Sequence, residues 1–93
     1  MRGIERTRRF NRDYRREKSG HHGKKLDALL LEILDLLVAD LPLPQRYADH
    51  PLSGDWSGFR DCHIRPDLVL IYEKPDAATL RLVRLGSHSE LGL

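Results

Sequence analysis

The chain has a single cysteine, Cys62, among its 93 residues. No disulfide can form within it, so the fold must hold by packing alone, and the composition points to a reducing compartment. It also lacks a long apolar run. The densest one, Leu26 to Ala39, is interrupted by Asp27, Glu32 and Asp35, which excludes a membrane span. The basic N-terminus is followed by no apolar stretch of the secretory kind, and the expected location is the cytoplasm. There is no glycine-rich phosphate loop and no nucleophile elbow, so P-loop and serine-hydrolase chemistry have no foothold. With no internal repeat and no low-complexity linker, residues 1–93 are expected to form one small domain. Its core must be thin, since a chain of this size buries only about two-thirds of its unfolded surface.

Charge, by contrast, is plentiful and unevenly spread. The formal net charge is +2. Residues 1–25 hold ten lysines and arginines (Arg2, Arg6, Arg8, Arg9, Arg12, Arg15, Arg16, Lys18, Lys24, Lys25) against Glu5, Asp13 and Glu17, whereas residues 26–93 hold six basic and eleven acidic side chains. A concentrated cationic end attracts polyanions, nucleic acid first. The plainer reading is a solvated helix face.

The pattern of apolar residues predicts two helices followed by strands. Ile4 to Thr7 reads as a short strand. Phe10 and Tyr14 give a helix through Lys18 one apolar edge, with Asn11 as N-cap or a start a few residues earlier. Ser19-Gly20-His21-His22-Gly23 stops it. Leu26, Leu29, Leu30, Ile33 and Leu37 follow helical spacing, and Leu31, Leu34 and Val38 widen the stripe beyond what one neighbour needs, so an edge is left for a partner. Leu41-Pro42-Leu43-Pro44 ends this helix. Gly58 to Ile64, Leu68 to Glu73 and Thr79 to Leu85 read as consecutive antiparallel strands, with Gln45 to Asp49 as a further short one and Ser87 to Leu91 as a helical turn. The expected class is α+β, with helices packed on one face of a twisted antiparallel sheet.

Chemistry-bearing residues cluster in the second half. If Ile64-Arg65-Pro66 is a three-residue loop, His63 and Asp67 face each other across two strands. A carboxylate there would orient the imidazole and favour its charged form. A two-residue loop puts them on opposite faces, and both loops fit the sequence. Arg84 shares an alternating face with Leu80 and Leu82, so it must reach an anion, either a phosphate or an acid such as Asp61. His88 follows flexible Gly86, and Pro51 stiffens the backbone at His50. Trp56 is either a loop anchor on the core or a stacking surface for a base. His21 and His22 are set aside as metal ligands, because adjacent histidines are poorly spaced and no acid or cysteine lies near them in sequence.

The run Leu41-Pro42-Leu43-Pro44, Asp49-His50-Pro51-Leu52, Gly54, Trp56, Gly58, Arg60-Asp61, His63, Pro66-Asp67, Leu70-Ile71-Tyr72, Arg84, Gly86 and His88 resembles the YafQ-type toxins of the RelE/ParE superfamily over nearly the whole chain. That resemblance implies a small α+β toxin of a type II toxin–antitoxin system. It further implies an endoribonuclease that enters the ribosomal A site and cuts translated mRNA without a metal or other cofactor. A cognate antitoxin would neutralise it, and the complex would reach operator DNA through the antitoxin. The family's active-site positions fall on His50, His63, Asp67, Arg84 and His88. His50 or the His63/Asp67 pair would act as base, Arg84 as phosphate clamp and His88 as acid. Arg8, Arg9, Arg12, Arg15, Arg16, Lys24 and Lys25 would track ribosomal RNA. Two departures stand out: Leu68 occupies a position often aromatic, and the terminus Leu91-Gly92-Leu93 lacks an aromatic that would stack on mRNA. Other classes fit less well. A ParE-like gyrase inhibitor needs no proton-transfer histidines, and a non-catalytic RNA-binding module would bind without cutting.

Overall fold

A computed structural model describes residues 1–93. The chain begins with strand β1 (Gly3–Arg6) and turns at Thr7 into helix α1 (Arg8–Lys18). The Thr7 hydroxyl accepts from the Phe10 N–H at 3.0 Å and donates to the Val83 carbonyl at 2.8 Å. One side chain thereby caps the helix and fastens it to the sheet. The helix takes the earlier of the two expected starts, leaving Asn11 inside it. Gly23 opens helix α2 (Gly23–Val38), where a Cβ would lie 2.1 Å from the Lys18 carbonyl oxygen. Only glycine allows the two helices to meet so closely.

The α2 stripe buries as its spacing predicts: Leu26, Leu30, Ile33 and Leu37 lie in the main core, with Leu29, Leu34 and Val38 packed against it. Leu31, on the widened edge, is 60% exposed. Gln45–Tyr47 is a 3-10 turn rather than the expected strand. Its backbone bonds locally, Tyr47 N–H to Pro44 and Ala48 N–H to Gln45, both at 3.0 Å. Tyr47 is buried as an anchor, and Ala48 adopts a left-handed φ of 48° that redirects the chain.

The remaining elements are β2 (His50–Pro51), a 3-10 turn at Gly54–Trp56, β3 (Arg60–Arg65), β4 (Leu68–Asp76), β5 (Thr79–Gly86) and the short helix α3 (His88–Leu91). Ser87 and Glu90 close a capping box on α3. The sheet order is β1-β5-β4-β3-β2. The C-terminal meander is antiparallel as expected, while β1 joins the edge of β5 in parallel, Ile4 opposite Leu80. Past Leu82, α1 takes over that edge. Arg16 donates to the Leu85 carbonyl and Asp13 accepts the Leu85 N–H, so no bare strand edge is left there.

The sheet has two faces. Cys62, Ile64, Leu70, Tyr72, Leu80 and Leu82 face the helices in one core. Val69, Ile71 and Leu91 form a smaller cluster on the other face, with Leu52, Trp56, Phe59 and Val83 against it. Buried on both sides, β4 reads as the unbroken apolar run Leu68 to Tyr72 rather than an alternation. The second face carries the site.

Candidate active site

Alternation along β3 points Cys62 and Ile64 into the helical core and leaves Asp61 and His63 for the opposite face. β2 sets His50 directly across from Asp61. The turn into α3 brings His88 over the same place. The His63 ring centroid lies 6.3 Å from that of His50 and 4.9 Å from that of His88, and each pair meets edge-on. His50, Asp61, His63 and His88 line a cleft of about 470 Å³ whose walls include Trp56 and Leu93. Trp56 meets Phe59 edge-on at 5.4 Å, so it both anchors the loop and offers a surface to the cleft.

Asp61 is 2% exposed and is the carboxylate at the floor of this cluster. Burial pushes its carboxyl above the ordinary value, against the attraction of His50, His63 and His88. Its Oδ1 lies 3.0 Å from His50 Nδ1, but that nitrogen directs its hydrogen bond at the Ala48 carbonyl, 2.8 Å away, and Oδ1 has no hydrogen-bond partner. Two acceptors beside Nδ1 select the tautomer that carries its proton there. The Nε2 of His50 is then free to accept a proton.

The expected His63/Asp67 pair does not form. Arg65 pairs with Leu68 and His63 with Val69, with a bulge at the intervening position, so the loop is the two-residue turn Pro66-Asp67. Asp67 sits in that turn with its side chain 59% exposed; it shares a hydrogen bond with His22, 3.0 Å from Nε2, and lies in ion-pair range of His21 Nε2 at 3.4 Å. The cross-strand acid–imidazole pair exists one hairpin earlier, as Asp61 and His50. In sequence, Asp61 suggests itself only as a partner for Arg84. The two-residue spacing of Asp61 and His63, against apolar Cys62 and Ile64, is the signal that marks its true place.

Arg84 meets Asp13 rather than Asp61. Its Nε lies 2.7 Å from Asp13 Oδ2, which also accepts the Leu85 N–H at 3.0 Å, while Arg16 reaches Oδ1 at 3.0 Å. Burial works against the charge on Asp13, but the Arg84 bond, the Leu85 N–H and the Arg16 guanidinium outweigh it and hold the carboxyl below its usual value. Arg9, Arg12, Asp13, Arg16 and Arg84 line a polar pocket of about 290 Å³. Four guanidiniums against one carboxylate keep it strongly cationic. Arg16 also reaches Glu90 of α3 at 3.2 Å, which ties this pocket to the helix that carries His88. Arg8, Arg9, Arg12, Arg15, Arg16, Lys24 and Lys25 are all exposed.

A five-stranded sheet under two helices places the chain among the small α+β toxins of the YafQ/RelE-like class. The chain belongs to the YafQ family, described as bacterial toxins of type II toxin–antitoxin systems, which it matches over residues 2–92. It is 39% identical over 91 residues to the mRNA interferase toxin YafQ of Escherichia coli K12, covering 98% of this chain and 96% of that protein. A copper-bound mutant toxin from Helicobacter pylori superposes with a TM-score of 0.85 at 35% identity, covering 98% of this chain and 99% of the other. The E. coli DinJ–YafQ complex gives 0.78 at 36% identity, with 98% of each chain covered.

Proposed function

We propose that this toxin is an endoribonuclease that cuts translated mRNA in the ribosomal A site by acid–base catalysis. The observation that carries the reading is the convergence of His50, His63 and His88 over buried Asp61 in one open cleft. It is joined by the full-length likeness to proteins named mRNA interferases. His50, held by Ala48 and Asp61 with Nε2 free, removes the proton of a ribose 2′-hydroxyl. The 2′-oxygen attacks the adjacent phosphorus, the bond to the 5′-oxygen breaks, and His88 protonates that leaving oxygen. The products are a 2′,3′-cyclic phosphate and a 5′-hydroxyl. His63, between the two rings, stabilises charge on the phosphorane, while Arg84 and its neighbouring arginines, which line a separate pocket, offer contacts to flanking phosphates. Asp67 lies outside the imidazole cluster and takes no proton-transfer role in this scheme.

The exposed arginines of α1, with Lys24 and Lys25, suit ribosomal RNA as the surrounding surface. Neutralisation falls to a cognate antitoxin, as the DinJ–YafQ complexes of a relative suggest. The groove between β1, α1 and α2 suits that partner. It holds about 400 Å³ and is lined by Ile4, Phe10, Tyr14, Leu31, Leu34 and Leu82 among others, with Ile4 and Leu31 at least half exposed. An apolar strip beside a cationic helix fits an acidic segment that folds on binding, and operator DNA would be reached through that antitoxin. Single alanine substitutions at His50, Asp61, His63, Arg84 and His88, assayed by cleavage of ribosome-bound mRNA, test the assignment. Full activity in all five variants would end it.

A further inference from the structure

In sequence, His21 and His22 look unsuited to a metal because no acid lies near them. The fold supplies one from 45 residues away: Asp67, at the tip of the β3–β4 turn. His22 Nε2 stands 3.0 Å from one carboxylate oxygen of Asp67 and His21 Nε2 stands 3.4 Å from the other. The two rings lie side by side with centroids 3.9 Å apart, and the three ligand atoms all fall within 4.8 Å of one another.

We propose that His21, His22 and Asp67 form a binding site for a borderline divalent transition ion of the Zn²⁺ class, separate from the catalytic cleft. Ligand atoms around a tetrahedral zinc, with bonds of about 2.0–2.2 Å, stand roughly 3.3–3.5 Å apart. The two nitrogen–oxygen separations, one to each oxygen of Asp67, lie near that edge length, and with all three ligand atoms within 4.8 Å side-chain rotation can close them around an ion. Two imidazoles and a carboxylate select zinc or copper over magnesium or calcium, which prefer oxygen cages. The exposure of His21 and Asp67, at 78% and 59%, leaves the fourth position to water and the approach open. Bound there, the ion joins the α1–α2 turn to the β3–β4 turn. It binds the folded chain and not the unfolded one, so it stabilises the fold. Without it, the same atoms rest in a hydrogen bond and an ion-pair contact.

The His50, His63 and His88 cluster is a second place where imidazoles meet, so the test must tell the two apart. Metal-free protein is titrated with Zn²⁺ by calorimetry, and thermal unfolding is followed with and without the ion. The variants are His22→Gln, Asp67→Asn and His63→Gln. Glutamine at position 22 keeps an N–H donor for Asp67 but loses the metal-binding nitrogen. The expected result is a binding event that survives His63→Gln and weakens at least about tenfold in both His22→Gln and Asp67→Asn. The Zn²⁺-dependent rise in Tm should disappear in the same two variants. Unchanged affinity in those two, or loss of binding through His63→Gln alone, overturns the proposal.

Discussion

The imidazole of His88 meets that of His63 edge-on, with ring centroids 4.9 Å apart. In the proposed mechanism the two rings serve one phosphate, His88 as acid and His63 as charge stabiliser, so their contributions should be coupled. Alanine at His63 or at His88 is expected to lower the rate of mRNA cleavage by about 10²–10⁴-fold each. The double variant should lose far less than the product of the two single losses, because groups that act together are not additive. Single-turnover cleavage of ribosome-bound transcripts measures both quantities. Fully multiplicative losses would mean that the two rings work independently.

Asp61 should separate stability from activity. Burial holds its folded pKa above the unfolded value. A carboxyl raised in this way favours folding fully below the unfolded pKa, and that contribution is lost as pH climbs through the folded pKa. Asp61→Asn removes the ionisation, so its stability relative to the parent should improve as pH rises from about 3 to about 7. Cleavage should fall at least about tenfold, since the imidazole cluster loses the carboxylate whose charge would stabilise an imidazolium formed beside it. Urea denaturation at the two ends of that range, beside a cleavage assay, checks both signs. A variant equally active, or less stable at the higher pH only, contradicts the role given to Asp61.

The same residues explain how far the sequence could be read. The α2 stripe follows from its helical spacing, and the three long strands follow from β-rich runs bounded by turn residues, β4 as an unbroken apolar run rather than an alternation. Gln45 to Asp49 misleads because Tyr47 is both a good strand former and a good anchor, and tertiary burial decides between them. The clustered histidines His50, His63 and His88 were legible as residue types and through their family likeness. Their geometry depended on register: one residue of loop length moves Asp67 from partner of His63 to partner of His22. Arg84 required an anion on physical grounds, yet its partner Asp13 lies 71 residues away on α1, beyond any local pattern.

Asp13 is the electrostatic fastening between α1 and β5. Its carboxylate accepts from Arg84, Arg16 and the Leu85 N–H while only 2% exposed. Removing it with Asp13→Ala leaves Arg84 without its anion and frees the edge of β5, at an expected cost of about 3 kcal/mol. Because the folded pKa of Asp13 is depressed, this stabilisation is present above the unfolded value and is lost as pH falls through the folded one. The gap between variant and parent should therefore narrow in acid. Denaturant titrations from neutral pH downward would show it, and a gap independent of pH would assign the cost to packing instead.

The cationic face of α1 makes a separate, salt-dependent prediction. Glutamate at Arg8, Arg9, Arg12 and Arg15 should weaken ribosome binding. It should also flatten the slope of log affinity against log salt by about 0.7–0.9 for each RNA phosphate that the helix no longer neutralises. The exposed positions of these side chains make the folded state insensitive to the change, which circular dichroism verifies. An unchanged slope would identify the face as solvated only.

Leu31 tests whether neutralisation and catalysis use different surfaces. It is 60% exposed on the outer edge of α2 and lines the apolar groove with Ile4 and Leu34, while the imidazole cluster occupies the opposite face of the sheet. A charge placed there should leave the fold intact, because Leu31 contributes little to the buried core. Leu31→Asp is therefore expected to cleave mRNA at the parent rate. Its affinity for the cognate antitoxin should fall about tenfold or more, the cost of placing a carboxylate in a desolvated apolar contact. In cells, co-expressed antitoxin would then fail to protect against the variant while still protecting against the parent. Equal protection against both would move the antitoxin's main apolar contact away from this groove.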